Sequence, residues 1–149
     1  MLAATSSGAI KAYIEGLGLG VPVFRAGPRP GQAPPYCVVT EGISAGLAPN
    51  GNGDYGDPST SIEITENVTV DLVQNARLKD GTSTRNAERY GLAETIGRRL
   101  HGATLPAHPA RVTAVRLQDI DRIPIADNLV RHAIHITITR QLLDAEVTP

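Results

Sequence analysis

Two segments of alternating apolar and polar residues, 61–74 and 130–143, constrain the fold of this chain more than any other feature. Their apolar members are mostly β-branched and share a spacing of two: Ile62, Ile64, Val68, Val70, Leu72, Val130, Ile134, Ile136 and Ile138. A half-buried strand requires this period. About 14 residues span roughly 45 Å at about 3.3 Å per residue, whereas strands average about 5–6 residues. Because such strands extend past the core of a small domain, we expect another subunit to cover their ends.

The sequence also predicts two amphipathic helices. The first covers residues 7–17, and its larger apolar residues have the spacing of one helix face: Ile10, Tyr13, Ile14 and Leu17. The second ends at Gly102, and its buried stripe contains three apolar residues: Ala93, Ile96 and Leu100. Arg98, in the last turn of that helix, is expected to face water, where its positive charge suits the helix dipole.

Shorter strands and loops complete a domain of the α+β class. Strands are predicted at 21–24, 36–41 and 111–117, loops at 27–35, 42–60 and 118–128, and a flexible tail at 144–149. A chain of 149 residues is long enough to bury one core. We therefore expect a single domain, residues 1–149, with a mainly antiparallel sheet, two helices packed on one face, and long strands that extend into oligomer contacts.

Signals for export and membrane insertion are missing from the sequence. Cys37 is the one cysteine, which excludes an internal disulfide and suits a reducing compartment. The N-terminus lacks the basic region and apolar stretch of a signal peptide, and no run reaches the roughly 18 apolar residues of a membrane span. We expect a protein that is made in the cytoplasm and has no membrane partner.

No set of residues has the pattern of a catalytic, cofactor or metal site. The glycines of residues 16–20 follow a helix, whereas a dinucleotide-binding turn precedes one, so they indicate a helix stop. Residues 50–61 begin like a calcium loop but lack its sixth-position glycine and twelfth-position glutamate. His132 and His135, three apart on a strand, project from opposite faces and cannot share an ion. Both are expected to be surface or interface histidines.

The remaining candidate nucleophiles and bases are isolated in the sequence. His101 and His108 flank a proline-containing loop without an adjacent carboxylate cluster, and Cys37 has no placed histidine beside it. The sequence contains no Gly-x-Ser-x-Gly motif and no phosphate loop. We therefore predict that the protein is not an enzyme and binds no cofactor or metal.

Charge is divided unevenly along the chain. Residues 30–76 contain six carboxylates and no lysine or arginine, whereas residues 77–140 contain eleven basic and six acidic residues. An ordinary solvated surface accounts for this division, and so does electrostatic complementarity between copies of the chain. A nucleic-acid-binding module is disfavoured, because the basic residues are scattered and the net charge is −1.

The order of these elements resembles one family. A first helix is followed by Pro-Pro-Tyr-Cys-Val-Val (34–39), a Gly/Asn-rich loop and Val-Thr-Val-Asp-Leu-Val-Gln (68–74). A helix at 86–100 and the strand Arg-His-Ala-Ile-His-Ile-Thr-Ile-Thr (131–139) come next. From about Ile10 to Gln141, this layout is similar to that of the tail-terminator (tail-completion) proteins of long-tailed bacteriophages.

The resemblance implies a virion protein of the tail or neck. Such proteins form a ring, usually a hexamer, that caps the tail tube and provides the surface on which the filled head docks. The implied partners are the tail tube protein and the head–tail connector or neck proteins, and DNA passes through the lumen without specific binding. Other neck proteins with similar folds are an alternative. A small-molecule-binding or enzyme-accessory α+β domain is another, and it would need a concave apolar pocket.

In such a ring, the acidic strand 61–74 and the loop before it are expected to lie in or around the central opening. Repeated carboxylates would repel the DNA backbone and let it pass without being held. Basic residues later in the chain would meet acidic residues of a neighbour in a head-to-tail contact. The lumen and interface candidates are Asp54, Asp57, Glu63, Glu66, Asp71, Arg111, Arg116 and Arg131.

Overall fold

A computed structural model describes residues 6–25, 27–42, 46–49, 62–75, 86–126 and 128–141, in which two helices pack on a six-stranded sheet. The elements are α1 (Ser6–Gly16), β1 (Val23–Phe24), β2 (Tyr36–Glu41), β3 (Gly46–Pro49), β4 (Ile62–Asn75), α2 (Asn86–Leu100), β5 (Val112–Ala126) and β6 (Leu129–Gln141). The strand order is β1-β2-β4-β6-β5, and β3 also pairs with β4. Among the described strands only the β1–β2 pair is parallel, so the predicted α+β class is confirmed.

Both helices cover the same face of the sheet. α1 contacts β1 and β2, and α2 contacts β5 and β6. Ile96 and Leu100 of α2 are fully buried in one core cluster with Ile10 and Ile14 of α1. The sheet side of this core comes from alternate residues of β4 and β6, which the register places opposite each other, as in the pair Val70–Ile134. The predicted packing of α2 through Ile96 and Leu100 is therefore confirmed, and Arg98 is exposed as expected.

The two long strands are also confirmed. β4 has 14 residues and β6 has 13, and they pair along their whole length in antiparallel register. β2 and β3 follow one another along the other side of β4, where β2 pairs with residues 68–73 and β3 with residues 62–65. Gly42 lies between them and donates its N–H to Asn67 O at 2.7 Å. A Cβ at this position would meet Asn67 at 3.3 Å, so the close backbone approach favours glycine.

The prediction of an unstructured connection at 42–60 is wrong for residues 46–49, which form β3. The segment Gly-Leu-Ala-Pro is too short and too poor in β-branched residues to predict a strand, and its pairing with β4 is what orders it. Asp54, Asp57 and the tail at 144–149 lie outside the described residues.

The predicted loop at 118–128 is wrong as well, because β5 continues to Ala126. A register shift between Leu117 and Asp119 inserts one extra residue, so Leu117 and Ile120 both pack against the core although they are three positions apart. A bulge of this kind interrupts the period of two on which a sequence reading depends. In the described part of the chain, no helix is long and apolar enough to cross a membrane.

Candidate functional site

The side of the sheet away from the helices, here called the polar face, carries mostly polar residues, with apolar residues such as Val73 and Ala133 toward one end. Thr65 and Thr139, opposite each other in β4 and β6, have their hydroxyl oxygens 3.3 Å apart. Two pairs further along the same face, beyond Asn67 and Thr137, Thr69 Oγ1 lies 3.2 Å from His135 Nδ1. The register places these residues on the polar face: Glu63, Thr65, Asn67, Thr69, Asp71, Arg116, Asp119, Asp121, Arg131, His135, Thr137 and Thr139.

Asp71 and Arg131 form an ion pair near one end of the polar face. Arg131 Nε lies 3.6 Å from Asp71 Oδ1, and 19% of the Asp71 side chain is exposed. Burial raises the pKa of Asp71 above its ordinary value of 3.8, and the positive charges of Arg131 and His135 offset this only in part. Arg131, which the sequence suggested for a contact with a neighbour, is therefore engaged within its own chain and is 39% exposed.

Asp119, Asp121 and His135 meet at the β5 side of the polar face. His135 Nε2 lies 3.1 Å from Asp121 Oδ2 and 4.0 Å from Asp119 Oδ1. One ligand atom from each residue lies within 4.8 Å of the others, a spacing that suits a cation and equally suits an imidazole hydrogen-bonded to a carboxylate. Sequence reasoning missed this cluster because it depends on the bulge that brings Asp119 opposite His135.

Glu66 belongs to the opposite, helix-covered face and is engaged within the chain. Its Oε1 accepts hydrogen bonds from Arg140 Nε and from the Ser6 hydroxyl, each at 2.6 Å. The side chains of Glu66 and Arg140 are 16% and 8% exposed. Both charges stand at apolar positions of the alternating strands, opposite Ile138 and Ile64 respectively. That placement was the one sequence signal for this buried pair.

Ser6, Glu66 and His108 together have the residue types of a hydrolase triad but the wrong hydrogen-bond directions. His108 Nδ1 accepts the Ala110 N–H at 3.0 Å, so in the neutral ring Nε2 carries the proton and donates to Ser6 Oγ at 2.9 Å. An activated serine would instead donate to histidine. Ser6 is also only 2% exposed, so its hydroxyl is shielded from solvent. The arrangement anchors the start of α1.

A second carboxylate completes this anchoring. Glu41 Oε1, from the end of β2, accepts the backbone N–H of Ser7 at 2.7 Å, in the first turn of α1. Arg25 Nε donates to the Ser7 hydroxyl at 3.2 Å. Helix N-termini leave N–H groups without partners and favour negative charge nearby, so Glu41 and Glu66 both stabilise the helix start.

The other residues singled out from sequence are dispersed. Glu63 lies on the polar face, where its carboxylate accepts from Thr113 Oγ1 at 3.3 Å. Arg111 and Arg116 are exposed beside and within β5. His132 and His135 do lie on opposite faces, as predicted. His132 is fully buried, however, so its assignment as a surface or interface residue is wrong.

Cys37 is packed in the core between β1 and β4. Burial, with a smaller contribution from the negative charge of Asp71, raises the pKa of the thiol from 9.0 to about 12. At neutral pH the group is therefore an uncharged thiol, and thiols are poor nucleophiles compared with thiolates.

The fold has a counterpart among solved structures. A chain in the structure titled "Virion of native gene transfer agent (GTA) particle" aligns over 92% of this chain and 95% of its own length, with a TM-score of 0.64 and 13% identity. This likeness shows a shared fold. No family model matches the sequence, and no curated protein matches it.

Proposed function

We propose that this protein is a structural component of a phage-type virion. The observation that carries the proposal is the fold likeness, which extends over nearly the full length of both this chain and a chain of the gene transfer agent virion. The dispersed polar groups and the buried, reversed Ser6–His108 contact agree with a structural role. A protein that assembles needs extended surfaces, and the paired strands β4 and β6 supply one.

Within the virion, the protein forms a ring that terminates the tail tube and presents the docking surface for the head. The resemblance of its sequence to tail-terminator proteins implies that the ring has six subunits. The β4 part of the polar face lines the opening of that ring. Two carboxylates and no lysine or arginine of β4 lie on this part of the face, so its charge is negative: Glu63 and Asp71. A negative wall repels the DNA backbone and lets it pass. Glu66 has no part in the lumen, because it is paired beneath α1.

Native mass spectrometry combined with negative-stain electron microscopy tests the ring. We expect a closed oligomer of six copies at micromolar concentration. A chain that remains monomeric across the accessible concentration range would refute the proposal. Deleting the gene from a particle-producing host should leave heads and tails unjoined, and a plasmid copy should restore joined particles.

The lumen is tested separately by charge reversal. The double variant Glu63→Lys, Asp71→Asn, which puts no lysine beside Arg131, should still form rings but deliver DNA less efficiently, since phosphates would be held by the wall. Glu94→Lys, on the exposed surface of α2, is the matched control and should deliver DNA normally. Normal delivery by the double variant would show that this face does not line the channel.

A small-molecule-binding domain is the alternative from another class. It would enclose its ligand in an apolar pocket. Two surface depressions formed by the described residues have volumes of about 510 Å³, and both are open to solvent. Charged side chains line the one beside α1 and β1: Lys11, Glu15, Arg25 and Arg29. This geometry favours contact with another macromolecule.

A further inference from the structure

A basic groove lies at the β1 edge of the sheet. It has a volume of about 510 Å³, and α1, β1 and the segment that follows β1 line it. Lys11, Arg25 and Arg29 line it together with one acidic residue, Glu15, so basic side chains outnumber acidic ones in the lining. Lys11 is already paired with Glu15 at 2.9 Å. Within the described part of the chain, Arg29 forms no ion pair and its side chain is exposed.

An acidic pair lies at the other edge of the sheet. The bulge in β5 places Asp119 and Asp121 on the polar face, where their side chains are 63% and 58% exposed. Both carboxylates are close to a single imidazole, His135, and each side chain remains more than half exposed. An accessible acidic surface of this kind attracts a basic one.

The two surfaces cannot meet within one molecule. The strand order β1-β2-β4-β6-β5 puts the basic groove and the acidic pair at opposite margins of the sheet. They can meet when the β5 margin of one copy approaches the β1 margin of the next. We propose that Asp119 and Asp121 of one subunit bind in the basic groove of its neighbour, where they contact Arg29 and Lys11.

The contact is made by side chains and not by strand addition. β5 has three register shifts and carries Pro124 near its end, and both features prevent regular pairing along a free edge. β1 has only two residues and offers almost no backbone to pair with. Because the groove is bordered by α1 and the acidic pair is on the polar face, the β5 margin of one copy overlaps the helix side of the next copy's β1 margin.

This contact joins two different surfaces of the same chain, so it is head-to-tail and closes into a ring when the rotation between copies divides a full turn. It rests on the proposed ring and names the surfaces that hold the ring together. It uses Arg29 and Lys11, whereas Arg131, the candidate from the sequence, has an ion pair with Asp71 in its own chain.

A charge swap tests the contact. Arg29→Glu and Asp121→Lys are made singly and together, and assembly is followed by native mass spectrometry and analytical ultracentrifugation. We expect each single variant to raise the concentration needed for half-assembly about tenfold or more, since facing like charges repel. The double variant should recover most of the loss, because it restores opposite charges with their signs exchanged. Arg98→Glu, an exposed arginine on α2, is the matched control and should assemble like the wild type.

Circular dichroism and thermal melting establish that each variant is folded, and Lys11→Glu replaces Arg29→Glu if the latter is not. Wild-type assembly by either single variant overturns the contact, and so does loss in both singles without recovery in the double. Those results leave the ring in place with a different interface. A monomeric wild type refutes the proposed function itself.

Discussion

Removing the charge of Glu66 should destabilise the protein far more than removing that of Glu63 in the same strand. Glu66 and Arg140 are 16% and 8% exposed and are joined at 2.6 Å, so Glu66→Gln removes the carboxylate charge that faces the Arg140 guanidinium beneath α1. Breaking a buried ion pair from one side costs about 3–5 kcal/mol. Glutamine keeps an oxygen that can accept from Ser6, so the lower value, about 3 kcal/mol, is expected. In a chain of this size about 3 kcal/mol corresponds to a melting temperature lower by roughly 6–12 °C.

Urea denaturation followed by circular dichroism measures this loss. Glu63→Gln is the matched control. Within the described ranges its carboxylate makes one exposed hydrogen bond, to Thr113, so its loss should change the unfolding free energy by less than about 0.5 kcal/mol. Adding Arg140→Met to Glu66→Gln should recover much of the loss, because removing both charges leaves no unpaired ion. Equal effects at positions 63 and 66, or no recovery in the double variant, would refute the buried-pair reasoning.

Three further predictions concern the core and the two groups whose pKa is raised. Ile96→Ala should lower the unfolding free energy by about 2–5 kcal/mol, whereas Arg98→Ala on the exposed side should change it by less than about 0.5 kcal/mol; equal losses in urea titrations would mean that the helix phase is wrong. The raised pKa of Asp71 means that this group binds its proton more tightly in the folded state, so its ionisation costs stability as pH rises above 3.8. Asp71→Asn should therefore be more stable than the wild type at pH 7. Thermal melts at several pH values should show this difference vanish at lower pH. A pKa of about 12 in place of 9.0 lowers the thiolate fraction of Cys37 about a thousandfold. Cys37 should therefore react with iodoacetamide at pH 8 about a thousandfold more slowly in the native protein than in urea. Fast labelling of the native protein would contradict the burial of this thiol.

The alternating segments determined most of the fold. Val68, Val70, Ile134 and Ile136 have a spacing that only a strand can bury on one side, and the structure places them opposite each other in the core. The helix stripe that contains Ile96 was equally readable, because a period of 3.6 residues is a local property of the chain. Periodicity therefore sufficed to predict the α+β class, the two long strands and the buried face of α2.

Tertiary structure decided where the charges lie. Arg140 is 74 residues from Glu66, and their pairing depends on the register of β4 against β6, which no local pattern specifies. The bulge that joins Asp119 to His135 likewise breaks the alternation that would have predicted it. The spacing of apolar residues can be read directly from the sequence because burial acts on each residue separately. Contacts between distant polar groups follow from strand register and bulges, and these are fixed only when the whole sheet assembles.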